Sequence, residues 1–297
     1  MASGTLLHFV QNAVLPPIPR HITLSGTSTT TPTHPLTDIN TLEEWSDFSI
    51  AVLANRPLLG SKWFQKHIYT PRTPVSSETN VHAFADYTLH ETLSDALEAL
   101  GHSGYKIVDI TGNNSVVSDP DRILEQNGGK PILTIEFKTP WAFPKQNDIV
   151  TAYRNSHPKS KVRRAIDQIY GYMTFNHHRF GVLTTYEETY FLQRKGSQLG
   201  GQLQIVGPFG YNKSTPFTVM EAYVTLLLLA MDKWFYASPT TSPSPSRFGS
   251  PASSPSSSRL RVSYTLTDVE IGRVTFDKGR DRSRMGAVVE GTLRGVK

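Results

Sequence analysis

Apolar positions along this chain switch repeatedly between two periods. Val81, Ala85, Leu89, Leu93, Ala96 and Leu100 recur at helical spacing inside "SSETNVHAFADYTLHETLSDALEALG". That stripe predicts one helix, with Ser77 suited to its N-cap and Gly101 to its stop. "YKIVDIT" then reads as a short strand, and "DPDRILEQNGGKPILTIEFKTPW", residues 119–141, reads as a β-hairpin around Asn-Gly-Gly. In "KVRRAIDQIYGYMTFN", Ile166, Ile169, Tyr170 and Met173 return to helical spacing, with Lys161, Arg164, Gln168 and Tyr172 on a neighbouring face. "RFGVLTTYEETYFLQR" predicts two strands around a turn, and the glycines of "LGGQLQIVGPFG" fit a turn between strands. "FTVMEAYVTLLLLAMDKWFYA" is the most apolar run, but Glu221, Asp232 and Lys233 mark it as a buried helix rather than a membrane span.

This pattern divides the chain unevenly. Residues 1–40, rich in Thr, Ser and Pro with little periodicity, are expected as a flexible arm, and residues 41–237 as the folded body. The Ser/Pro tract 238–258 lacks the apolar surface to order itself, and residues 259–297 alternate as a β-rich tail.

The hairpin carries the chemistry. Strands alternate faces, so Leu133, Ile135 and Phe137 point one way while Thr134, Glu136 and Lys138 point the other. With Gly128-Gly129 as the loop, Asp121 pairs with Glu136; with Asn127-Gly128, Asp121 faces Thr134 and Asp119 faces Glu136. Either register puts Asp121 on the face of Glu136 and Lys138, and only a three-residue loop or a bulge would break the grouping. Two close carboxylates repel, so one holds a proton unless a cation binds between them. A hard divalent ion, Mg²⁺ or Mn²⁺, resolves that conflict, and an adjacent ammonium can steady added negative charge. Glu78 lies on the same helical stripe as Ala85, in the first turn. Interaction with the helix dipole is sufficient reason for an acid there.

Composition narrows the partners. The 297 residues carry a formal charge of +5 and contain no cysteine. Disulfides, thiolate metal sites and cysteine nucleophiles are thereby excluded, and a reducing, intracellular setting (nucleus or cytoplasm, with secretion as an effector left open) is expected. The basic balance suits a polyanion. The opening "MASGTLLHFVQNAVLPPIPR" lacks a basic n-region and meets prolines early, so it reads poorly as a signal peptide.

Pro120-Asp121 followed by Glu136-Phe137-Lys138 resembles the Pro-Asp…(Asp/Glu)-x-Lys signature of the restriction-endonuclease-like nuclease superfamily. The order helix, hairpin, helix, strand over residues 76–195 resembles that family's core. "QIYGYM", "GVLTTYEETYFLQR" and "EFKTP" look most similar to a fungal-type branch that includes nuclease-like domains of Crinkler effectors. The resemblance implies an α/β fold with a central mixed sheet flanked by helices. It implies a metal-dependent nuclease with Asp121 and Glu136 as metal ligands, Glu78 as an outer ligand, Lys138 as charge stabiliser and Gln168 as a positioning residue. DNA is the implied substrate ahead of RNA, and a homodimer is expected if both strands of a duplex are cut. The alternative is a non-catalytic module of the same fold that binds nucleic acid or a partner protein.

Lys145, Arg154, Lys159, Lys161 and Arg164 lie between hairpin and helix and could follow a phosphate backbone, although a solvated loop explains any one of them. His177 and His178 are adjacent and are expected to point apart, with no third ligand to make a metal site. Asp109 reads as a strand-end residue, and Trp63, Phe64 and Tyr69 read as core packing.

Overall fold

The computed structural model describes residues 4–24, 39–110, 113, 115–127, 129–195 and 201–237. The expected Ser/Pro tract and β-rich tail lie outside the described residues. In chain order the elements are β1 (Gly4–Thr5), α1 (Leu6–Asn12), β2 (Ile39–Glu44), α2 (Phe48–Gly60) and β3 (Trp63–Phe64). Then come α3 (Glu78–Ala85), a π turn (Asp86–His90), α4 (Glu91–Ala99), β4 (Tyr105–Val108), β5 (Arg122–Gln126) and β6 (Lys130–Phe137). The chain continues with α5 (Ile149–Asn155), α6 (Lys161–Phe175), β7 (Phe180–Thr184), β8 (Glu188–Lys195), β9 (Gly201–Gly210) and α7 (Val219–Lys233).

Seven strands form a mixed sheet in the order β2-β9-β8-β7-β6-β5-β4. The β6–β7 and β2–β9 pairs are parallel and the others antiparallel. Helix α6 lies within the crossover that joins parallel β6 to β7, as such a connection requires. Two apolar layers sandwich the sheet. Leu133, Ile135, Phe137, Val182 and Phe191 join one core with α1, α2, α3, α4 and α7. Leu183, Tyr190, Leu192, Leu203 and Ile205 join the other with α5 and α6. The α/β class with a central mixed sheet between helices is therefore what this chain adopts.

Two irregularities in the β5–β6 hairpin offset one another. Gln126 pairs with Lys130, so three residues, 127–129, separate the strands. A register shift between Leu124 and Glu125 then sets Leu124 opposite Leu133 and Arg122 opposite Ile135. Each irregularity alone would have turned Asp121 away from Glu136; together they restore the pairing expected for a Gly128-Gly129 loop. Strand β6 is buried on both faces, from Pro131 to Phe137.

The helix expected after Ser77 forms with Ser77 capping Asn80, and its whole apolar stripe is buried. It is not uniform, because a π turn at Asp86–His90 divides it. A widened turn of this kind re-aims side chains and occurs often at functional positions. From Gly201 to Gly210 the "LGGQLQIVGPFG" stretch is not a turn but the ten-residue β9. Its neighbours β8 and β2 supply hydrogen bonds on both edges, and that outweighs the low strand propensity of glycine. Close packing of α6 uses Gly181 on β7, where a Cβ would sit 2.6 Å from the Met173 sulfur.

The flexible arm expected over residues 1–40 is a correction wherever it is described. Thr5 caps α1, and Leu6, Val10 and Leu15 are 1% exposed or less in the main core. The Tyr186 hydroxyl donates to the Pro16 carbonyl at 2.9 Å, and Thr218 donates to the Val10 carbonyl. Clustered prolines after a seven-residue helix hide its periodicity from a pattern search. Trp63 and Tyr69, expected in the core, are 66% and 60% exposed, whereas Phe64 is buried. Helix α7 is buried as expected, and no described helix is long and apolar enough to cross a membrane.

Leu6→Ala should therefore lower unfolding stability by about 2–5 kcal/mol, the range for emptying a buried leucine site. Chemical denaturation would read it, and a change near zero would mean that the N-terminal segment is not part of the core.

Candidate active site

The elements around β6 gather the acids that the hairpin pattern groups, and add others. Asp121 enters β5 with its Oδ2 accepting the Phe137 backbone N–H at 2.7 Å, which ties one strand start to the neighbouring strand end. Glu136 pairs with Leu183 across β6 and β7 and so faces α6. Its Oε1 accepts from Lys138 Nζ at 2.5 Å, and both side chains are almost fully buried. Glu78 reaches in from the first turn of α3, where its Oε1 is buried without a hydrogen-bond partner. Glu136 Oε2 is orphaned in the same way.

Burial and mutual repulsion disturb these acids together. Burial raises Glu136 well above the ordinary carboxyl range, and the charge of Asp121 pushes the same way. Burial also raises Asp121, against the pull of its Phe137 hydrogen bond and of Lys138. Glu78 is raised by burial as well, and feels both Lys138 and Asp121. Three carboxyls against one ammonium cannot all ionise comfortably in so little water.

Gln168 and Tyr172 complete the α6 side. Gln168 is buried, donates its Nε2 to the Tyr172 hydroxyl at 2.8 Å, and leaves Oε1 without a partner. Burial raises the Tyr172 phenol, and the nearby Glu136 charge adds to the effect. The structure thus brings together Glu78, Asp121, Glu136 and Lys138, with Gln168 beside them through Tyr172.

Sequence reading missed His82. Its Nε2 lies 3.6 Å from Asp121 Oδ1 and has no hydrogen bond, while its ring tilts against Phe137 at 4.9 Å. Burial, aided by the Arg122 charge, lowers this imidazole to about 4, so it is neutral with a lone pair to offer. The signal was present: Glu78 and His82 are one helical turn apart and share a face. Asp86, in the π turn, was missed too. Burial works against its charge, but hydrogen bonds from His90 and a two-pronged contact with Arg122 hold it at about 2. Asp109 directly follows the end of β4, and it also lines a cavity of about 340 Å³ with His82, Asp119 and Asp121.

The expected basic track divides. Lys145 reaches Glu187 at 3.8 Å, and Arg154 donates to the Leu42 carbonyl. Lys159 and Lys161 are exposed at the start of α6, with Arg164 half-buried beyond them. His177 and His178 do point apart, one stacked on Phe235 and the other buried with Nε2 near the Pro131 carbonyl.

The donor set suits a hard cation, since buried oxygens of Glu78 and Glu136 are left without hydrogen-bond partners. Among the described residues, however, no three acidic or histidine side chains already stand in a common ligating arrangement. The chemistry of the donors fits, but the arrangement is not a preformed cage.

No protein-family model matches the chain, and no curated protein matches it at a significant level. Among solved structures it is similar to the type IIG restriction endonuclease BpuSI, at 17% identity and a TM-score of 0.26. The match covers 50% of this chain and 17% of that one. A likeness so slight establishes neither fold nor activity.

Repulsion within the cluster has a measurable sign. A carboxyl whose pKa is raised by folding opposes the folded state as pH climbs above its unfolded value of about 4.5. Glu136→Gln should therefore melt at a higher temperature than the wild type at neutral pH in chelator, and the difference should shrink as pH falls below about 4.5. A wild type that outlasts the variant at neutral pH would mean that the cluster is not strained.

Proposed function

We propose that this chain is a metal-dependent phosphodiesterase with a restriction-endonuclease-like core, cutting nucleic acid, with DNA ahead of RNA. The observation that supports it is the meeting of Glu78, Asp121, Glu136 and Lys138 around oxygens left without partners in a buried setting. Structural ion pairs end satisfied, whereas these carboxyls keep unused acceptors and raised pKa values, a combination that clusters at functional sites.

Each residue then has a task. Asp121, Glu136 and Glu78 would hold Mg²⁺ or Mn²⁺, with the neutral His82 as a further donor. Such an ion, when bound, lowers the pKa of a coordinated water and offsets charge on the phosphate. The Phe137 N–H holds Asp121 in place, so one acid keeps its orientation while the others adjust. Lys138, once Glu136 is engaged elsewhere, is free to donate to a phosphate oxygen and steady the growing negative charge. Gln168 Oε1 can accept from the attacking water, and Tyr172 fixes the amide that presents it. Lys159, Lys161 and Arg164 approach along α6, the helix that carries Gln168, and can meet the phosphates on that side.

A second reading, a module of the same fold that binds without cutting, draws on Lys138 being engaged by Glu136 and on the absence of a preformed ligand cage among the described residues. Plasmid nicking separates the two. Wild-type protein in Mg²⁺ or Mn²⁺ should convert supercoiled DNA to open circles, with Asp121→Ala and Lys138→Ala each slower by roughly 100-fold or more. Binding without nicking in either metal would favour the second reading.

A further inference from the structure

Asp121 is held by its main chain as well as by its carboxylate. The Phe137 N–H donates to Oδ2 at 2.7 Å. Separately, Arg122 turns back on its own neighbour, and its Nη1 donates to the Asp121 carbonyl at 2.6 Å. The guanidinium is not free to leave that contact, because its other nitrogens are engaged. Nε donates to Asp86 Oδ1 at 3.0 Å, and Nη2 donates to Asp86 Oδ2 at 2.6 Å. A planar fork gripped at two nitrogens has its third aimed by its own rigidity.

Asp86 is anchored in its turn. It opens the π turn, and the His90 Nδ1, four residues on, donates to its Oδ1 at 2.9 Å. His90 is 2% exposed, and its ring stands edge-on to Phe137 with centroids 5.7 Å apart. Phe137 is the residue whose N–H holds the Asp121 carboxylate. The contacts therefore close a loop that runs from Asp121 through Arg122, Asp86, His90 and Phe137 back to Asp121. It ties the π turn, the start of β5 and the end of β6 to one acid. By contrast, Glu78 and Glu136 each keep an oxygen without a partner. The Asp86 and Arg122 side chains are 34% and 14% exposed, and an ion pair open to water contributes little to stability.

We propose that Arg122 and Asp86 are positioning residues for the candidate metal site, fixing the main chain at Asp121 so that its carboxylate is set before an ion arrives. The proposal rests on the nuclease reading and extends it to two residues that need touch neither ion nor substrate. Outer groups that orient a ligand are worth roughly 10–100-fold in metal affinity. Charge and position make opposite demands on Arg122, which separates them. A guanidinium beside Asp121 repels a divalent cation, so by charge alone its removal tightens binding and its replacement by lysine changes little. If Arg122 acts by holding the Asp121 carbonyl, both changes weaken binding, because neither glutamine nor lysine reproduces the fork.

Titration of the full chain with Mn²⁺, followed by the electron paramagnetic resonance of the free ion and with no nucleic acid present, tests this. Arg122→Lys and Arg122→Gln should each bind Mn²⁺ about tenfold more weakly than the wild type. Asp86→Asn, which removes one prong and leaves Arg122 in place, should lose several-fold and serves if an Arg122 change disturbs folding. Leu6→Ala, which loosens the core elsewhere, should keep the wild-type Mn²⁺ affinity. Amide exchange gives a readout without metal: in chelator the Phe137 N–H should exchange about tenfold faster in Arg122→Lys, as the Asp121 carboxylate loosens. Wild-type Mn²⁺ affinity in Arg122→Lys, or tighter binding in Arg122→Gln, would overturn the proposal and leave the nuclease reading standing. An equal loss in Leu6→Ala would overturn it too, since the effect would then be general loosening. Unchanged Phe137 exchange would show that the loop does not hold Asp121. A wild type that takes up no Mn²⁺ would sink the nuclease reading itself, and the metal role of Arg122 with it.

Discussion

The centre of this protein is organised by one constraint, the burial of β6 on both faces. A strand buried on one side can leave its polar residues in water, but this one cannot. Leu133, Ile135 and Phe137 fill one core, so Thr134, Glu136 and Lys138 are driven into the opposite layer under α6. The pleat permits no compromise, because moving one charged side chain out would move every apolar one to the wrong face. Glu136 and Lys138 therefore pair with one another, and Asp121 is fastened to the end of the same strand. The surrounding structure either supports this arrangement or presses on it.

That pressure is electrostatic. Acids from α3, from the start of β5 and from β6 converge where little water remains; burial raises the proton affinity of all three, and the Asp121 charge adds to it at Glu78 and Glu136. A sheet stabilised for its own sake would have aliphatic residues here, as it does at Ile135 two strands from the edge. The proposed metal site would need such strained acids, and the fold tolerates them because two large apolar layers hold the sheet from both sides. Aromatic contacts among Trp45, Phe48, Phe191, Phe209 and Tyr223 give the larger layer much of its cohesion. Around the acids, the π turn extends the polar region outward by presenting Asp86 to Arg122 and Tyr87 to solvent.

Much of this was legible from local pattern. Helical stripes at Val81–Leu100 and in α6, the alternation of β5 and β6, and the buried character of α7 follow from periods of 3.6 and 2 that survive in any context. The sharing of one strand face by Glu136 and Lys138 was legible too, but Asp121 joins them only because a three-residue loop and a register shift cancel. Other features were hidden for identifiable reasons. Prolines broke the pattern of residues 6–18, so a segment buried in the core looked like an arm. Glycines masked β9, whose strand character comes from its two neighbours rather than from its own residues. Trp63 and Tyr69 looked like core because aromaticity does not say which side of a strip faces water.

The amino-acid order by itself determined which residues share a face within one element, Glu136 with Lys138 on one strand and Glu78 with His82 on one helix, since those placements depend only on bond geometry and repeat length. Only the tertiary structure decided that these two faces meet. It set a three-residue loop against a compensating register shift, brought α3 over the end of β6, and left Glu78 and Glu136 oxygens without partners. Contacts between elements far apart in sequence are chosen by the packing of whole apolar layers, and no local repeat encodes that choice.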